Sequence, residues 1–190
     1  LVRNTKPYCI IGSPPCTAFS PLQEIGRKKR DPKVMANELE EGERHVRFCI
    51  EIYKMQARAH RHFVHEHPAG SRAWQMKEIV ELIAMPEVGT VDMHLCVYGM
   101  RSADKHGEGL VHKATRIMSS SEDVLKRLDQ RCTNETRPKE EHHRHVHLVG
   151  GRAKYAQVYP RRMCMDICEG IAAQKRLDRL GMKSRPIMSL

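Results

Sequence analysis

The stretch Cys9-Ile10-Ile11-Gly12-Ser13-Pro14-Pro15-Cys16 decides the expected fold, because a short apolar run stops there at a glycine, a serine and two prolines. Such a run is typical of a buried strand that ends in a loop. In α/β sheets, the loops after the carboxyl ends of the strands form the crevice that binds ligands. The prolines fix two φ angles ahead of Cys16, so the sequence predicts a thiol held in place at this edge.

Strand-like and helix-like patterns alternate along the rest of the chain. Apolar residues spaced three and four apart predict a helix over 33–60, and the run 62–66 predicts a second strand that ends before Pro68. Further patterns predict helices over 72–84, 121–130 and 160–180, and strands over 90–98, 110–118 and 146–149. This order favours an α/β fold whose sheet is mostly parallel, with an antiparallel hairpin at one edge.

The charge of the chain favours a polyanion as a partner. Lys and Arg number 33 against 23 Asp and Glu, which gives a formal net charge of +10. Basic side chains release counterions when they neutralise phosphates, so DNA or RNA is the expected partner, although a solvated basic surface explains the charge alone equally well. The expected contacts are Arg27, Lys28, Lys29 and Arg30 in a basic loop over 21–33, together with Lys113.

Composition also bounds the setting of the protein. The seven cysteines are odd in number and follow no framework spacing, which favours reduced thiols and an intracellular location. No run of eighteen apolar residues and no secretory signal is present in the sequence, so no membrane partner is expected. The chain begins with Leu1 and reads as part of a longer chain with further domains.

Two motifs resemble those of DNA cytosine-5 methyltransferases. The run 11–20, Ile-Gly-Ser-Pro-Pro-Cys-Thr-Ala-Phe-Ser, is similar to the proline-cysteine loop of that family, and 63–66 is similar to its strand that ends in glutamate. The chain has Thr17 where the family usually has glutamine, and His67-Pro68 where it has asparagine and valine. The same combination also resembles methyltransferase-like segments of eukaryotic retroelement polyproteins.

The resemblance implies a Rossmann-like methyltransferase core in which residues 1–130 form the catalytic half and residues 131–190 form a His-rich basic loop and a last helix. Cys16 would attack ring carbon six of a flipped cytosine, and Glu66 would hold the ring nitrogen and amino group. The resemblance further implies a substrate loop made of Ser13, Pro14, Pro15, Thr17 and Ser20.

The methyl donor that the resemblance implies is S-adenosylmethionine. Its glycine-rich loop would precede Cys9 and lie mostly outside this chain, and DNA methylation implies a nuclear location. The family's Gln-x-Arg-x-Arg strand is not visible in the sequence, although Lys113, Arg116 or Arg101 are candidates to replace it.

A metal site is a separate hypothesis. Cys132, His145 and His147 are candidate zinc ligands, because residues two apart on a strand face the same side. A fourth ligand would come from His142, His143 or a distant residue. A solvated basic loop without metal is the interpretation that we favour from the sequence.

Three functions from different classes therefore follow from the sequence. The first is cytosine-5 methylation by part of a longer enzyme. The second is a non-catalytic nucleic-acid-binding module of a mobile-element polyprotein, in which Cys16 is only a buried thiol and Glu66 only a structural carboxylate. The third is an interaction domain stabilised by zinc.

Overall fold

The computed structural model describes residues 1–21, 30–134, 136–149 and 156–182. Its helices are α1 (Val2–Thr5), α2 (Pro32–Arg58), α3 (Lys77–Ile83), α4 (Glu122–Leu128) and α5 (Arg161–Arg179). Its strands are β1 (Cys9–Gly12), β2 (His62–Pro68), β3 (Gly89–His94), β4 (Arg101–Asp104), β5 (Gly107–His112), β6 (Ala114–Ser119) and β7 (His145–His147). Helices and strands share the chain, which confirms the α/β class.

A four-stranded sheet in the order β1-β2-β6-β3 carries most of the buried core. Strands β1 and β2 are parallel neighbours, with Cys9 opposite His62 and Gly12 opposite His65. Strand β6 runs antiparallel to both β2 and β3. The carboxyl ends of β1 and β2 therefore meet at one edge of the sheet.

The prediction of a mostly parallel sheet with an edge hairpin is wrong. Among the strand pairs of the described residues, β1–β2 and β5–β7 are parallel and the other three are antiparallel. The reversed strand β6 lies between β2 and β3, inside the sheet. A parallel pairing of β3 with β6 would need a crossover connection, whereas the chain between these strands forms a second, small sheet and returns antiparallel.

That second sheet has the order β4-β5-β7. The predicted strand 110–118 is divided between the two sheets, because it changes partners at Lys113: β5 pairs with β4 and β7, and β6 pairs with β2 and β3. Apolar alternation reports which side chains are buried but not which strand lies alongside, so the pattern did not show this division. The predicted strand 90–98 ends earlier, at His94.

Helix α2 covers one face of the four-stranded sheet. Asp31 caps it by accepting a hydrogen bond from the Lys33 backbone N–H, and Pro32 occupies its first turn. Its buried side includes Ile50 and Tyr53, which pack in the same cluster as Phe63 of β2. Gly12 is required in β1, because a Cβ there would lie 2.0 Å from the Tyr53 hydroxyl.

Helix α5 covers the opposite face and joins the C-terminal part of the chain to the same core. Met163 and Ile167 of α5 pack in one cluster with Val64 and Ile117. A Cβ on Gly170 would lie 2.8 Å from the Val124 Cα, so glycine permits the close approach of α5 to α4. The predicted helices 33–60 and 160–180 are confirmed, while the predicted helix 72–84 consists of a 3₁₀ turn, Arg72–Gln75, and α3.

Within the described residues, no helix is both long enough and apolar enough to cross a membrane.

Candidate functional site

Five polar side chains gather at the edge where β1 and β2 end, and we refer to Ser13, Cys16, Glu66, Lys113 and Tyr159 as the edge cluster. The parallel register of β1 with β2 brings the loop after Gly12 beside the second half of β2, which contains Glu66. Lys113 lies between β5 and β6, and Tyr159 lies just before α5. The structure therefore brings together the two predicted catalytic residues from different strands.

The carboxylate of Glu66 is the centre of the edge cluster. Its Oε2 accepts a hydrogen bond from the Ser13 hydroxyl at 2.6 Å and another from the Tyr159 hydroxyl at 2.7 Å. The Lys113 ammonium nitrogen lies 3.6 Å from Oε1. Glu66 is only 6% exposed. A buried carboxylate needs such partners, because an unpaired charge away from water is strongly destabilising.

Cys16 lies within the electrostatic reach of this carboxylate. Burial raises the pKa of the half-buried thiol, the charge of Lys113 lowers it, and the charge of Glu66 raises it further. The Tyr159 hydroxyl is affected in the same way, because burial and the Glu66 charge both raise its pKa. The net increase keeps Cys16 protonated at neutral pH, so an attack by its sulfur needs a change in the surroundings, such as a bound base.

The other predicted loop residues lie before and after Cys16 in the chain, and Ser13 is the one whose bond to Glu66 is described above. Pro14 is buried, while Pro15 and Thr17 are exposed. Thr17 begins a 3₁₀ turn that ends before Ser20. Phe19 of this turn is buried beneath α2, where a Cβ on Gly42 would lie 3.1 Å from its ring. The packing of Phe19 against α2 therefore holds the part of the loop that follows Cys16.

The residues predicted to contact nucleic acid fall into two groups, those outside the described residues and those that the structure describes. Arg27, Lys28 and Lys29 lie outside the described residues. Arg30 is described, and its guanidinium forms a two-pronged ion pair with the carboxylate of Glu38 on α2. Lys113 contacts Glu66, as described above. The basic loop is therefore untested as a nucleic-acid contact.

Of the three proposed substitutes for the family's arginine strand, only Lys113 joins the edge cluster. Arg116 faces Asp92, with a 2.7 Å bond from its Nε to Oδ1, and its guanidinium lies 5.5 Å from the centre of the Trp74 ring. Arg101 is exposed on β4 in the other sheet. Lys113 was selected by its charge, but nothing in its local pattern indicated this contact.

A second group of side chains could hold a metal, and we refer to Cys96, Cys132, His143 and His145 as the metal cluster. Their four ligand atoms all lie within 4.8 Å of one another. The Cys132 sulfur is 3.4 Å from His143 Nε2 and 3.5 Å from His145 Nε2, and the two ring nitrogens are 2.7 Å apart. Burial lowers the pKa of His145 to about 4, followed by the charges of neighbouring histidines, so its ring is neutral at pH 7.

The sequence named three members of this cluster, with His143 as an alternative for the fourth ligand, and missed Cys96. Cys132 and His145 lie in it, whereas His147 is exposed and packs edge-on against the ring of His112. His147 is therefore not in the cluster as a ligand, and His143, one of the alternatives for the fourth position, joins it. Cys96 was not predicted, because it lies in the turn after β3, far along the chain from the histidines.

Comparison with models of protein families, with curated proteins and with solved structures gives no match to this chain. The function must therefore be inferred from the two clusters themselves. The edge cluster combines a thiol, a buried carboxylate and hydroxyl donors, which suits covalent chemistry on a substrate that can hydrogen-bond to the carboxylate. The metal cluster combines thiol and imidazole groups, which are ligands for zinc.

Proposed function

We propose that this chain is the base-binding, nucleophilic half of a cytosine-5 methyltransferase-like protein that acts on nucleic acid. The observation that carries the proposal is the Glu66 carboxylate, held by Ser13 and Tyr159 beside Cys16, where two parallel strands end. This is the crevice in which α/β sheets bind ligands. The strand order supports the proposal as well, because three strands run in one direction and the reversed strand β6 lies between two of them.

The substrate follows from the chemistry of the carboxylate. A cytosine offers an amino group that donates and a ring nitrogen that accepts. The Glu66 carboxyl group could accept from the amino group and, when protonated, donate to the ring nitrogen. A base can reach such a buried group only if it leaves the helical stack, as enzymes that modify bases require. DNA or RNA would be the partner, in agreement with the net charge of +10.

The reaction would begin when the Cys16 thiol gives its proton to the Glu66 carboxylate, directly or through solvent, and its sulfur forms a bond to ring carbon six. The electron pair of the carbon five–carbon six double bond moves toward the ring nitrogen, which takes a proton from Glu66. Carbon five is then electron-rich. Carbon five then bonds to an electrophile, which is a solvent proton or a methyl group, and its original proton leaves to solvent. As the sulfur–carbon bond breaks, the double bond re-forms, and the proton on the ring nitrogen returns to Glu66 and from there to the Cys16 sulfur.

S-adenosylmethionine would supply the methyl group that carbon five accepts. The resemblance assigns its binding mostly to residues that precede Cys9, so we derive only the steps of this chain's own residues. Among these, the Lys113 ammonium group, 3.6 Å from Glu66 Oε1, would help to hold the Glu66 side chain in position, and a bound base would shield Cys16 from the Glu66 charge that raises the pKa of the thiol. A thiol activated only by its substrate avoids unwanted reactions.

The proposal can be tested without a methyl donor. In deuterated water, attack and release by Cys16 should exchange the proton on carbon five of cytosine for deuterium, which mass spectrometry detects after the oligonucleotide is digested. Cys16→Ser should abolish this exchange. Cys9→Ser is the matched control, because Cys9 is a half-buried thiol on the neighbouring strand β1 and should leave the exchange intact.

The expected result is exchange by the wild type and by Cys9→Ser on single-stranded or double-stranded DNA or on RNA. If the wild type and Cys16→Ser exchanged the proton equally on every oligonucleotide, the proposed catalytic role of Cys16 would be wrong. If the chain bound those oligonucleotides without any exchange, the result would favour the non-catalytic nucleic-acid-binding module instead.

A further inference from the structure

The metal cluster lies at the ends of three separate chain segments. Cys96 belongs to the turn after β3, Cys132 follows α4, and the two histidines lie in and just before β7. Strand β3 belongs to the four-stranded sheet and β7 to the three-stranded sheet. We propose that Cys96, Cys132, His143 and His145 bind one zinc ion, which joins the two sheets as a structural site.

The distances within the cluster agree with a tetrahedral site. Zinc bonds of about 2.0–2.1 Å to nitrogen and about 2.3 Å to sulfur place neighbouring ligand atoms about 3.3–3.8 Å apart. The two sulfur–nitrogen distances to Cys132 are 3.4 Å and 3.5 Å, and both lie in that range. The two imidazole nitrogens, at 2.7 Å, need to separate by about half an ångström, which a small ring rotation provides.

The choice of ligands selects zinc among the common cations. Two thiolates and two imidazoles are the donors of Cys₂His₂ zinc sites, whereas magnesium and calcium bind oxygen atoms. All four positions are taken by protein atoms, and catalytic zinc sites keep one position for water or substrate. The site is therefore structural, and it requires no part in the chemistry of the edge cluster.

Hydrogen bonds already orient two of the ligand-bearing segments. The Cys132 backbone N–H donates to His94 Nδ1 at 2.9 Å, which fixes the chain beside the end of β3. The Asn134 side-chain amide donates to the His143 carbonyl oxygen at 2.9 Å. Contacts of this kind around the ligands are typical of metal sites, because they hold the donors in the arrangement that the ion needs.

The segment between Cys132 and His145 has hydrogen bonds, such as that of Asn134, but it contributes little to the apolar core. Among the described residues 131–134 and 136–144, none is buried. Backbone segments with so few apolar contacts open easily unless another interaction anchors them. Yet this segment leads into β7, where Val146 is fully buried. A zinc ion bound at both ends of the segment would supply the missing stabilisation, since metal binding contributes directly to folding.

The test uses the 190-residue chain, produced with zinc and then dialysed. Elemental analysis should give about one zinc per chain. Replacement by Co²⁺ should give the visible bands of a tetrahedral ion and the near-ultraviolet absorption of thiolate bound to cobalt. Cys132→Ser should lose the zinc, whereas His147→Ala and Cys164→Ser should keep it, because one is an exposed neighbour in β7 and the other is an exposed thiol on α5.

A second variant separates loss of metal from loss of folding. His143→Cys replaces one donor by another, so it should retain zinc and shift the Co²⁺ spectrum toward three sulfur ligands. Chelation of the wild-type metal should speed amide hydrogen exchange about tenfold or more in residues 131–149 and leave β1 and β2 unchanged. A wild-type chain without zinc, a Co²⁺ spectrum without thiolate absorption, or full zinc retention by Cys132→Ser would each overturn the proposal.

Discussion

The edge cluster and the metal cluster are both built from cysteine, but they differ in how their polar groups are satisfied. In the edge cluster, the carboxylate of Glu66 already has two hydroxyl donors and a lysine as partners. In the metal cluster, two thiols and two imidazoles face mainly one another, within 4.8 Å. One group is complete with protein atoms, and the other offers four donors that a single cation could bind.

This difference agrees with the two proposals, in which the edge cluster performs chemistry and the metal cluster stabilises the fold. A satisfied carboxylate beside a thiol can exchange its partners for those of a substrate, because hydrogen bonds rearrange easily. A closed set of soft donors releases its ion slowly and offers no position for a substrate. We therefore expect substitutions in the edge cluster to affect activity, and those in the metal cluster to affect the stability of the small sheet.

The largest predicted effect is that of Glu66→Gln on cytosine exchange. An amide cannot supply the proton that the ring nitrogen takes, and a positioned acid contributes typically about a hundredfold or more. The exchange rate of Glu66→Gln should therefore fall at least about a hundredfold, while its zinc content stays that of the wild type. Glu122→Gln, which removes a carboxylate at the start of α4, is the control and should keep the wild-type rate.

If Glu66→Gln exchanged the proton as fast as the wild type, the assignment of chemistry to the edge cluster would be wrong. Loss of zinc in this variant would count against separate roles for the two clusters, because they would then depend on each other.

The sequence predicted the edge cluster better than the metal cluster for a physical reason. Cys16 follows β1 and Glu66 lies near the end of the adjacent strand β2, so two local patterns were enough to bring them to one edge once the strands paired in parallel. Tyr159 was missed because its partner lies in β2, on the other side of most of the chain. The same limit applies to Cys96, whose turn meets β7 only through tertiary packing.

The fold shows the same limit. The α/β class and most of the elements could be predicted, because apolar periodicity determines them locally, but the short strand β4 was missed. The strand order could not, since a strand such as β6 carries the same alternation whether its neighbours are parallel or antiparallel. The change of sheets at Lys113 depends on the partners β4 and β7, which the pattern of 110–118 does not contain.

The next effect concerns nucleic-acid binding by the predicted basic loop. Replacing Arg27, Lys28 and Lys29 together by glutamine should lower the affinity for duplex DNA about thirty- to a hundredfold at low salt, because each phosphate contact adds about 0.9 to the salt slope. Fluorescence anisotropy at several salt concentrations would measure both quantities.

The control for the basic loop removes the same charge elsewhere. Arg44, Arg127 and Arg131 lie in surface ion pairs, and their joint replacement by glutamine should change the salt slope little. Equal loss of affinity in both triple variants would mean that the net charge alone binds DNA, without a defined basic loop.

A smaller effect is predicted for Tyr159→Phe, which removes a hydroxyl that donates to Glu66 and also contacts Ser13. The loss of about 1.4 kcal/mol of orientation would slow the exchange about tenfold. Affinity for the oligonucleotide should not change, because the hydroxyl positions the carboxylate and does not contact phosphate. Tyr98→Phe is the control, since Tyr98 is a buried tyrosine in the core next to α5 and far from Glu66 in sequence. A lower affinity with an unchanged rate for Tyr159→Phe would contradict this role.

The smallest effect separates the two regions by pH. His67 follows Glu66 in β2, is 1% exposed, and its ring nitrogens have no hydrogen-bond partner among the described residues. Burial lowers its pKa to about 4, with the charge of Glu66 raising it and that of Lys113 lowering it. The unfolded chain, with an ordinary histidine pKa, binds more protons between pH 6.5 and 4, so stability falls as the pH decreases through that range. From pH 7 to 6 this contribution to the unfolding free energy is about 0.7 kcal/mol.

The variant His67→Phe removes the titrating ring. Its unfolding free energy, measured by urea denaturation, should therefore decrease between pH 7 and 6 by about 0.7 kcal/mol less than that of the wild type. Protonation of the metal cluster affects both proteins equally and cancels in the difference. His106→Phe, at an exposed position in the β4–β5 turn, should follow the wild type. Parallel pH profiles for His67→Phe and the wild type would show that the acid sensitivity arises elsewhere, with the metal cluster as the first region to examine.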